Sequence, residues 1–179
     1  MLKSYSELRK IDVLPYCDIR KEGKEEIPYL NWAQCIELLH DNGAEKVFWD
    51  PVQNEHGSSL IEAAHDFKDK YDVSNRVYET RIRVTIDDNT FEYQGPVMNG
   101  ANPVKDNSMS QQRLHNSQCR LFVKAVAIRT GLGFNLWLKN EKKEREIQAQ
   151  GEFKHDIYEV RKRILEVCTT LNKRGLSQE

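Results

Sequence analysis

Residues 107–140 read NSMSQQRLHNSQCRLFVKAVAIRTGLGFNLWLKN, and this segment predicts the central element of the fold. The chain holds 28 acidic residues in 179, yet none lies between Asp106 and Glu141. Five basic residues fall inside the same interval: Arg113, Arg120, Lys124, Arg129 and Lys139. The segment is therefore locally basic in a protein whose formal net charge is −1.

The spacing of this segment predicts a long helix that ends near Gly131 and Gly133, because glycine readily adopts the left-handed conformation that ends helices. At about 100° per residue, one side of the helix carries a cationic stripe formed by Arg113, Ser117, Arg120 and Lys124. Another side is apolar and is expected to face a core. Its residues are Leu114, Leu121, Phe122, Ala125, Ile128 and Leu132.

Two interpretations of the cationic stripe are open. Basic residues on a helix surface can simply form a solvated face. Surface helices usually mix charges so that residues four apart can pair, and the missing acids here favour an anionic partner instead. Since the pI is near 6.5, attraction to a polyanion would have to come from this local segment and not from the whole protein.

The residues before this segment predict a β-hairpin. Alternation of apolar and polar residues over Val77–Ile86 is typical of a strand with one buried face, and Thr90–Gln94 follows a polar turn as its partner. Arg81 and Arg83 fall on the polar face. They can pair with Glu92 across the strands, or they can lie beside the cationic helix and form a groove with it.

The remaining segments complete an α+β fold. The N-terminal part predicts a helix over Ser4–Leu14, a loop over Arg20–Glu26, a helix over Pro28–Leu39, a strand over Lys46–Trp49 and a surface helix over Ser59–Lys70. Trp32, Ile36 and Leu39 are expected in the core. Phe134–Leu138 is expected to be a short strand or a packed loop.

The C-terminal part has a different pattern. The charged run Glu141–Glu146 indicates an exposed linker. A helical seam follows, formed by Ile157, Val160, Ile164, Val167 and Leu171. We therefore expect a core domain over residues 1–140 and, over 141–179, a linker and a helix that packs on the core or on a neighbouring subunit.

The sequence offers little for covalent chemistry. The four cysteines form no CxxC pair and the histidines form no HExxH motif, which argues against zinc and for free thiols in a reducing compartment. No nucleotide-binding or catalytic-serine motif is present. Asp50, Asp87 and Asp88 are the carboxylates a metal-dependent nuclease would use, but the last two suit a hairpin turn. We predict no catalytic residue, metal or cofactor, no membrane contact and a cytoplasmic location.

Several short motifs resemble a known family. Tyr29–Ala33 (YLNWA), Pro96–Asn102 (PVMNGAN), Cys119–Ala127 (CRLFVKAVA) and Gly131–Gly133 (GLG) are similar to segments of phage single-strand annealing proteins of the Sak type. That group resembles, more remotely, the Rad-fifty-two recombination mediators. The similarity covers roughly Ile11 to Leu138. The remote relatives have two adjacent basic residues where this chain has Lys124-Ala125.

The resemblance implies a fold, an activity and partners. The fold is a β-β-β-α core in which the hairpin sheet and the following helix form the walls of a DNA groove. The activity is ATP-independent binding of single-stranded DNA and annealing of complementary strands in homologous recombination, by rings or filaments of identical subunits. A phage exonuclease or a single-strand binding protein is the expected partner, and the bacterial host cytoplasm the expected location if the protein is phage-encoded.

The predicted DNA contacts combine the residues with the resemblance. Arg120 and Lys124 match the family's basic helix positions, and the full set is Arg81, Arg83, Lys105, Arg113, Arg120 and Lys124. Two alternatives remain. The basic helix can dock an acidic protein partner, or the carboxylates can serve a metal-dependent nuclease.

Overall fold

The computed structural model describes residues 1–22, 25–62, 66–68, 72–100, 102–138, 157–167 and 169. Contacts divide the chain into two compact units, Met1–Asn140 and Glu141–Glu179. In chain order the elements of the first unit are α1 (Tyr5–Leu8), β1 (Asp18–Glu22), β2 (Glu25–Tyr29), α2 (Trp32–Asp41), β3 (Val47–Pro51), β4 (Leu60–Glu62), β5 (Phe67–Lys68), β6 (Ser74–Asn75), β7 (Tyr78–Ile86), β8 (Asn89–Pro96), β9 (Met98–Asn99), β10 (Asn102–Pro103), α3 (Gln111–Thr130) and a helical turn, α4, over residues 134–138. Short 3₁₀ helices cover Leu14–Tyr16 and Asp106–Ser108.

Strand β7 is the centre of the main sheet. It pairs antiparallel with β8 along one side, and with β3 and β4 along the other. Alternate residues of β7 are buried on one face, namely Thr80, Ile82, Val84 and Ile86. With α3 following β8, the order β3, β7, β8, α3 forms the predicted β-β-β-α core of an α+β fold. Among the described residues, three further antiparallel pairs, β1–β2, β5–β6 and β9–β10, lie outside this sheet.

Helix α3 packs on the buried face of β7 and β8. The Ser110 side chain caps its start by accepting the backbone N–H of Arg113. Gly131, at φ 86°, ends the helix as predicted, and its N–H donates to the carbonyl of Ala127 at 3.0 Å. The helix approaches β8 closely at Gly95, where a Cβ atom would lie 2.7 Å from Leu121 Cδ2. The sheet and the helix are thus joined by a densely packed core.

Helices α1 and α2 complete this core. Leu8 from α1 and Leu39 from α2 are fully buried in one cluster with Phe122 of α3 and Leu132 after it. The prediction for the apolar side of α3 is confirmed for Leu121, Phe122, Ala125 and Leu132, whereas Leu114 is half-buried and Ile128 is 43% exposed. Ile128 lies on a side of α3 that the sheet and the other helices do not cover.

Two predicted elements before the sheet are different in the structure. The described residues of the predicted loop Arg20–Glu26 lie in the strands β1 and β2, whose register pairs Arg20 with Ile27, and Gly23 and Lys24 lie outside the described residues. Its charged residues hid the strand, because backbone pairing depends little on side-chain polarity. The helix predicted over Pro28–Leu39 begins only at Trp32, since β2 extends to Tyr29 and Asn31 caps the helix by accepting the N–H of Gln34 at 2.9 Å.

Other elements also differ from the boundaries predicted from the sequence. The first helix stops at Leu8, short of the predicted Leu14. The predicted surface helix Ser59–Lys70 is wrong, because Leu60–Glu62 form β4, which pairs with β7, and Phe67–Lys68 form β5. Residues 134–138 form the turn α4 in place of the expected strand or loop, and the N–H of Phe134 donates to the carbonyl of Gly131 at 3.1 Å.

The described part of the second unit is helical, with α5 over residues 157–167 and Thr169 as a further helical residue beyond it. Its predicted seam residues Ile157, Val160, Ile164 and Val167 are all exposed. Leu171 and the charged run Glu141–Glu146 lie outside the described residues.

Candidate functional site

Part of the cationic stripe of α3 lines an open cleft of about 640 Å³. Helix α3 forms one wall of this cleft. The basic residues Arg113 and Arg120 line that wall, with Asn116 beside them. Ser117, which also lines this wall, is 3% exposed, whereas Arg113 and Arg120 are half-buried. One side of α3 therefore faces the core and a neighbouring side faces the cleft.

The opposite wall comes from a part of the chain distant in sequence. It is formed by Arg20 of β1, Tyr29 of β2, and Asn31 and Trp32 at the start of α2. The turn Met98–Gly100 closes one side. The predicted β7–β8 hairpin does not contribute to the described lining of this cleft, because α3 packs on its inner face. A smaller cleft of about 380 Å³ lies between the tip of that hairpin and α3, at Asn89, Phe91 and Arg129.

The turn Met98–Gly100 is fixed to α3 by one side chain. The backbone N–H of Met98 donates to the Ser117 hydroxyl oxygen at 2.9 Å, and that hydroxyl donates to the carbonyl of Arg113 at 2.7 Å. Val97, which directly precedes Met98, is fully buried, and its carbonyl accepts the N–H of Val104 at 2.9 Å. These bonds anchor the turn as a defined wall of the cleft.

The cleft is strongly cationic. Among its described lining residues are three guanidinium groups, from Arg20, Arg113 and Arg120, and no Asp or Glu. Asp18 lies close to the β2 wall, where it accepts a hydrogen bond from Asn31 Nδ2 at 2.9 Å. Burial raises the pKa of Tyr29, an effect that the nearby Arg120 and Arg20 oppose. Asn99, Gln112 and Asn116 add uncharged hydrogen-bonding groups.

Arg120 and Lys124 share one aromatic ring. Arg120 Cζ lies 5.7 Å and Lys124 Nζ 5.3 Å from the ring centroid of Trp137 in α4. Cation–π contacts at exposed sites contribute about 0.5–1 kcal/mol each, so the half-buried Trp137 restrains both side chains. Lys124 does not line the cleft, but this ring places it next to Arg120, which does.

The other predicted contacts near α3 have structural partners. Arg113 Nη1 donates to the carbonyl oxygen of Ser108, which fixes the guanidinium at the start of the helix. Lys105 is exposed and lies outside the cleft lining; its backbone N–H donates to the Ser108 hydroxyl at 2.9 Å.

Arg81 and Arg83 lie on the face of the sheet opposite α3. Arg81 Nη2 donates to Gln94 Oε1 at 2.7 Å, and Arg83 Nη2 donates to Glu92 Oε1 at 2.7 Å. The cross-strand pairing considered from sequence is thus confirmed. The structure brings Arg113, Arg120 and Lys124 together, whereas these two arginines are separated from them by the sheet.

Trp32, Arg20 and Tyr29 were not predicted as site residues. The sequence predicts Trp32 in the core together with Ile36 and Leu39, yet Trp32 is 44% exposed. Its position directly after the cap Asn31 was the signal, because the first residue of a helix can project past the core. Arg20 lay in a segment that the sequence indicated as a loop.

One thiol lines the cleft. Cys119 Sγ lies 3.6 Å from His115 Nε2, and burial raises the pKa of the Cys119 thiol. Burial likewise raises the pKa of Cys17 to about 11 and of Cys35 to about 12. In the described part of the chain, three cysteines are free thiols and no group of three His, Cys, Asp or Glu residues could hold a metal ion.

Asp87 has a structural role. At φ 53° in the β7–β8 turn, its Oδ1 accepts the backbone N–H groups of Glu45 and Lys46 at 2.8 and 3.0 Å. These bonds lower the pKa of the Asp87 carboxyl. Of the described helices, none has the length and apolarity needed to cross a bilayer.

One of the comparisons with known proteins gives a match. The model of the family described as Sak Single Strand Annealing Protein matches residues 3–162 of this chain. No curated protein and no solved structure matches.

Proposed function

The chain belongs to the Sak single-strand annealing protein family, and from this premise we propose that it binds single-stranded DNA in the cleft between α3 and the β1–β2 hairpin. It then anneals complementary strands without ATP, in homologous recombination. The observation that carries the assignment of the site is the lining of the cleft: three guanidinium groups and several amides, with no carboxylate among the described lining residues.

The chemistry of the cleft suits a nucleic-acid backbone. Guanidinium groups bind phosphate oxygens through paired hydrogen bonds and charge, and such contacts do not read sequence. An annealing protein must accept any sequence, because the second strand decides the pairing. Arg20 on one wall and Arg113 and Arg120 on the other can approach a strand from two sides, and Lys124 extends the cationic surface along α3.

Annealing also requires many weak contacts instead of a few strong ones. A strand held by phosphates keeps its base edges available for a second strand to test. Identical subunits arranged as a ring or filament would multiply weak contacts into high avidity. A phage exonuclease that produces single strands, or a single-strand binding protein that covers them, would act beside this protein.

A salt series tests the assignment. Binding of a fluorescent thymidine oligonucleotide should weaken with salt at a log–log slope of about −0.7 per phosphate neutralised. Replacing Arg120 and Lys124 together with alanine should make that slope shallower by about 1.4. Arg129→Ala is the matched control, because Arg129 is exposed on the same helix but contacts Phe91 outside the cleft.

Two outcomes would contradict the proposal. Undetectable binding by the wild-type protein at low salt would remove the DNA function and favour an acidic protein partner. Shortening of the oligonucleotide with Mg²⁺, seen on a denaturing gel, would indicate a nuclease. Annealing itself is measured without ATP, by the recovery of duplex from two complementary labelled strands.

A further inference from the structure

Trp32 is an exposed aromatic residue in a cationic cleft. The residue is 44% exposed although it precedes the buried Cys35 and Leu39 on the same helical face. Large aromatic side chains gain free energy from burial, so a ligand that covers this ring would gain affinity from the contact. The residues of the cleft around the ring restrict which class of ligand can bind there.

The surroundings of Trp32 select against a purely apolar ligand. Arg20 and Tyr29 lie on the same wall, and Arg113 and Arg120 lie on the wall of α3. A ligand that fits must therefore combine negative charges with flat apolar faces. Unpaired nucleotides have this combination, since each phosphate is linked to a base with two exposed π-faces.

We propose that Trp32 is a stacking platform for an unpaired base and makes the cleft selective for single strands over duplex. This inference rests on the proposed function and adds a second kind of contact to it. In a duplex the base faces are covered by neighbouring base pairs, so the indole cannot reach them. A base stacked on Trp32 is held by its face and keeps its pairing edge free for the second strand.

The energetic expectation comes from base stacking on aromatic side chains. Loss of one such contact lowers affinity by about 5- to 150-fold. The effect requires the base, whereas phosphate contacts do not. An abasic oligonucleotide of the same length, with the same phosphates, separates the two contributions in a double-mutant cycle.

The experiment compares a thymidine oligonucleotide with its abasic analogue. The wild-type protein should bind the thymidine strand about 5- to 150-fold more tightly for each base stacked on Trp32. In Trp32→Ala most of this preference should disappear, while affinity for the abasic strand stays unchanged. Trp32→Phe should keep most of the preference, because the ring is retained.

Phe48→Ala is the matched control. Phe48 is 41% exposed and lies with Lys46 outside the cleft lining, on the outward side of β3. It should leave the preference for the thymidine strand unchanged. Thermal melting checks folding, and Trp32→Leu, apolar but without an aromatic face, replaces the alanine variant if that variant is unstable.

The outcomes separate this inference from the proposed function. If the wild-type protein binds both strands equally, or if Trp32→Ala keeps the preference, the stacking role is wrong while the DNA function stands. If the wild-type protein binds neither strand, both fail. A duplex bound as tightly as the thymidine strand would also overturn the selectivity.

Discussion

The hydroxyl oxygen of Ser117 accepts the backbone N–H of Met98 at 2.9 Å and thereby joins the turn after β8 to helix α3. Ser117 is buried and the turn residues Met98–Gly100 line the cleft. This one bond therefore couples the stability of a core helix to the shape of the candidate binding site.

Ser117→Ala should destabilise the protein by about 1–3 kcal/mol, because the Met98 N–H loses its acceptor. Ser110→Ala is a matched control, since it removes the cap of the same helix at a cost of about 1 kcal/mol and leaves the Met98 bond intact. Hydrogen exchange of the Met98 amide should accelerate only in Ser117→Ala. Equal protection in both variants would show that the turn does not depend on Ser117.

Replacing Arg81 and Arg83 together with alanine should leave the salt slope of DNA binding unchanged. Both side chains lie on the sheet face away from the cleft and pair with Glu92 and Gln94. Their loss should change the free energy of unfolding by only about 1 kcal/mol or less, because exposed ion pairs are weak. A slope shallower by about 1.4 would instead place a DNA path on the outer face of the sheet.

Gly131→Ala should destabilise more than Gly57→Ala. Both glycines have positive φ, 86° and 73°, so alanine pays about 1–2 kcal/mol of backbone strain at either position. At Gly131 the new Cβ would also lie 2.7 Å from the carbonyl oxygen of Tyr5, whereas at Gly57 nothing lies within 4 Å. We expect a further loss of about 1–3 kcal/mol at Gly131, measured by urea denaturation. Equal losses of stability in the two variants would mean that α1 moves away from the new Cβ atom without a cost in free energy.

The exposed seam of α5 should matter for self-association. Ile164 is 54% exposed on this helix, and a subunit joint through the seam would bury it. Ile164→Glu should therefore lower the mass measured by light scattering. Thr169→Glu adds the same charge on the opposite side of the helix and should leave the mass unchanged. A constant mass in both variants would exclude the seam as a joint.

Local patterns in the sequence were sufficient to predict the central elements of the fold. The alternation of apolar and polar residues predicted β7, and the spacing of apolar residues together with Gly131 predicted α3 and its C-terminal end. These predictions succeeded because strand faces and helix ends depend on a few neighbouring residues. Strands without such a pattern were missed. The β1–β2 hairpin is charged, and β4 is short and paired with the middle of the chain, so neither has a periodicity of its own.

The sequence already indicated which face of the sheet Arg81 and Arg83 occupy. The alternation of β7 puts the arginines opposite its apolar residues, and α3 must pack on the apolar side to bury its own. Within one subunit, the two arginines and the cationic stripe therefore lie on opposite sides of the sheet. Packing of two apolar faces decides this, whatever the charges prefer.

The sequence by itself determined that α3 carries an unbalanced cationic stripe and that a hairpin precedes it, since both follow from residues close together in the chain. Only the tertiary structure decided what faces that stripe. Arg20, Tyr29 and Trp32 reach the cleft because the β1–β2 hairpin and the start of α2 lie beside α3. Such a meeting of distant segments depends on how the whole core packs, and no local pattern encodes it.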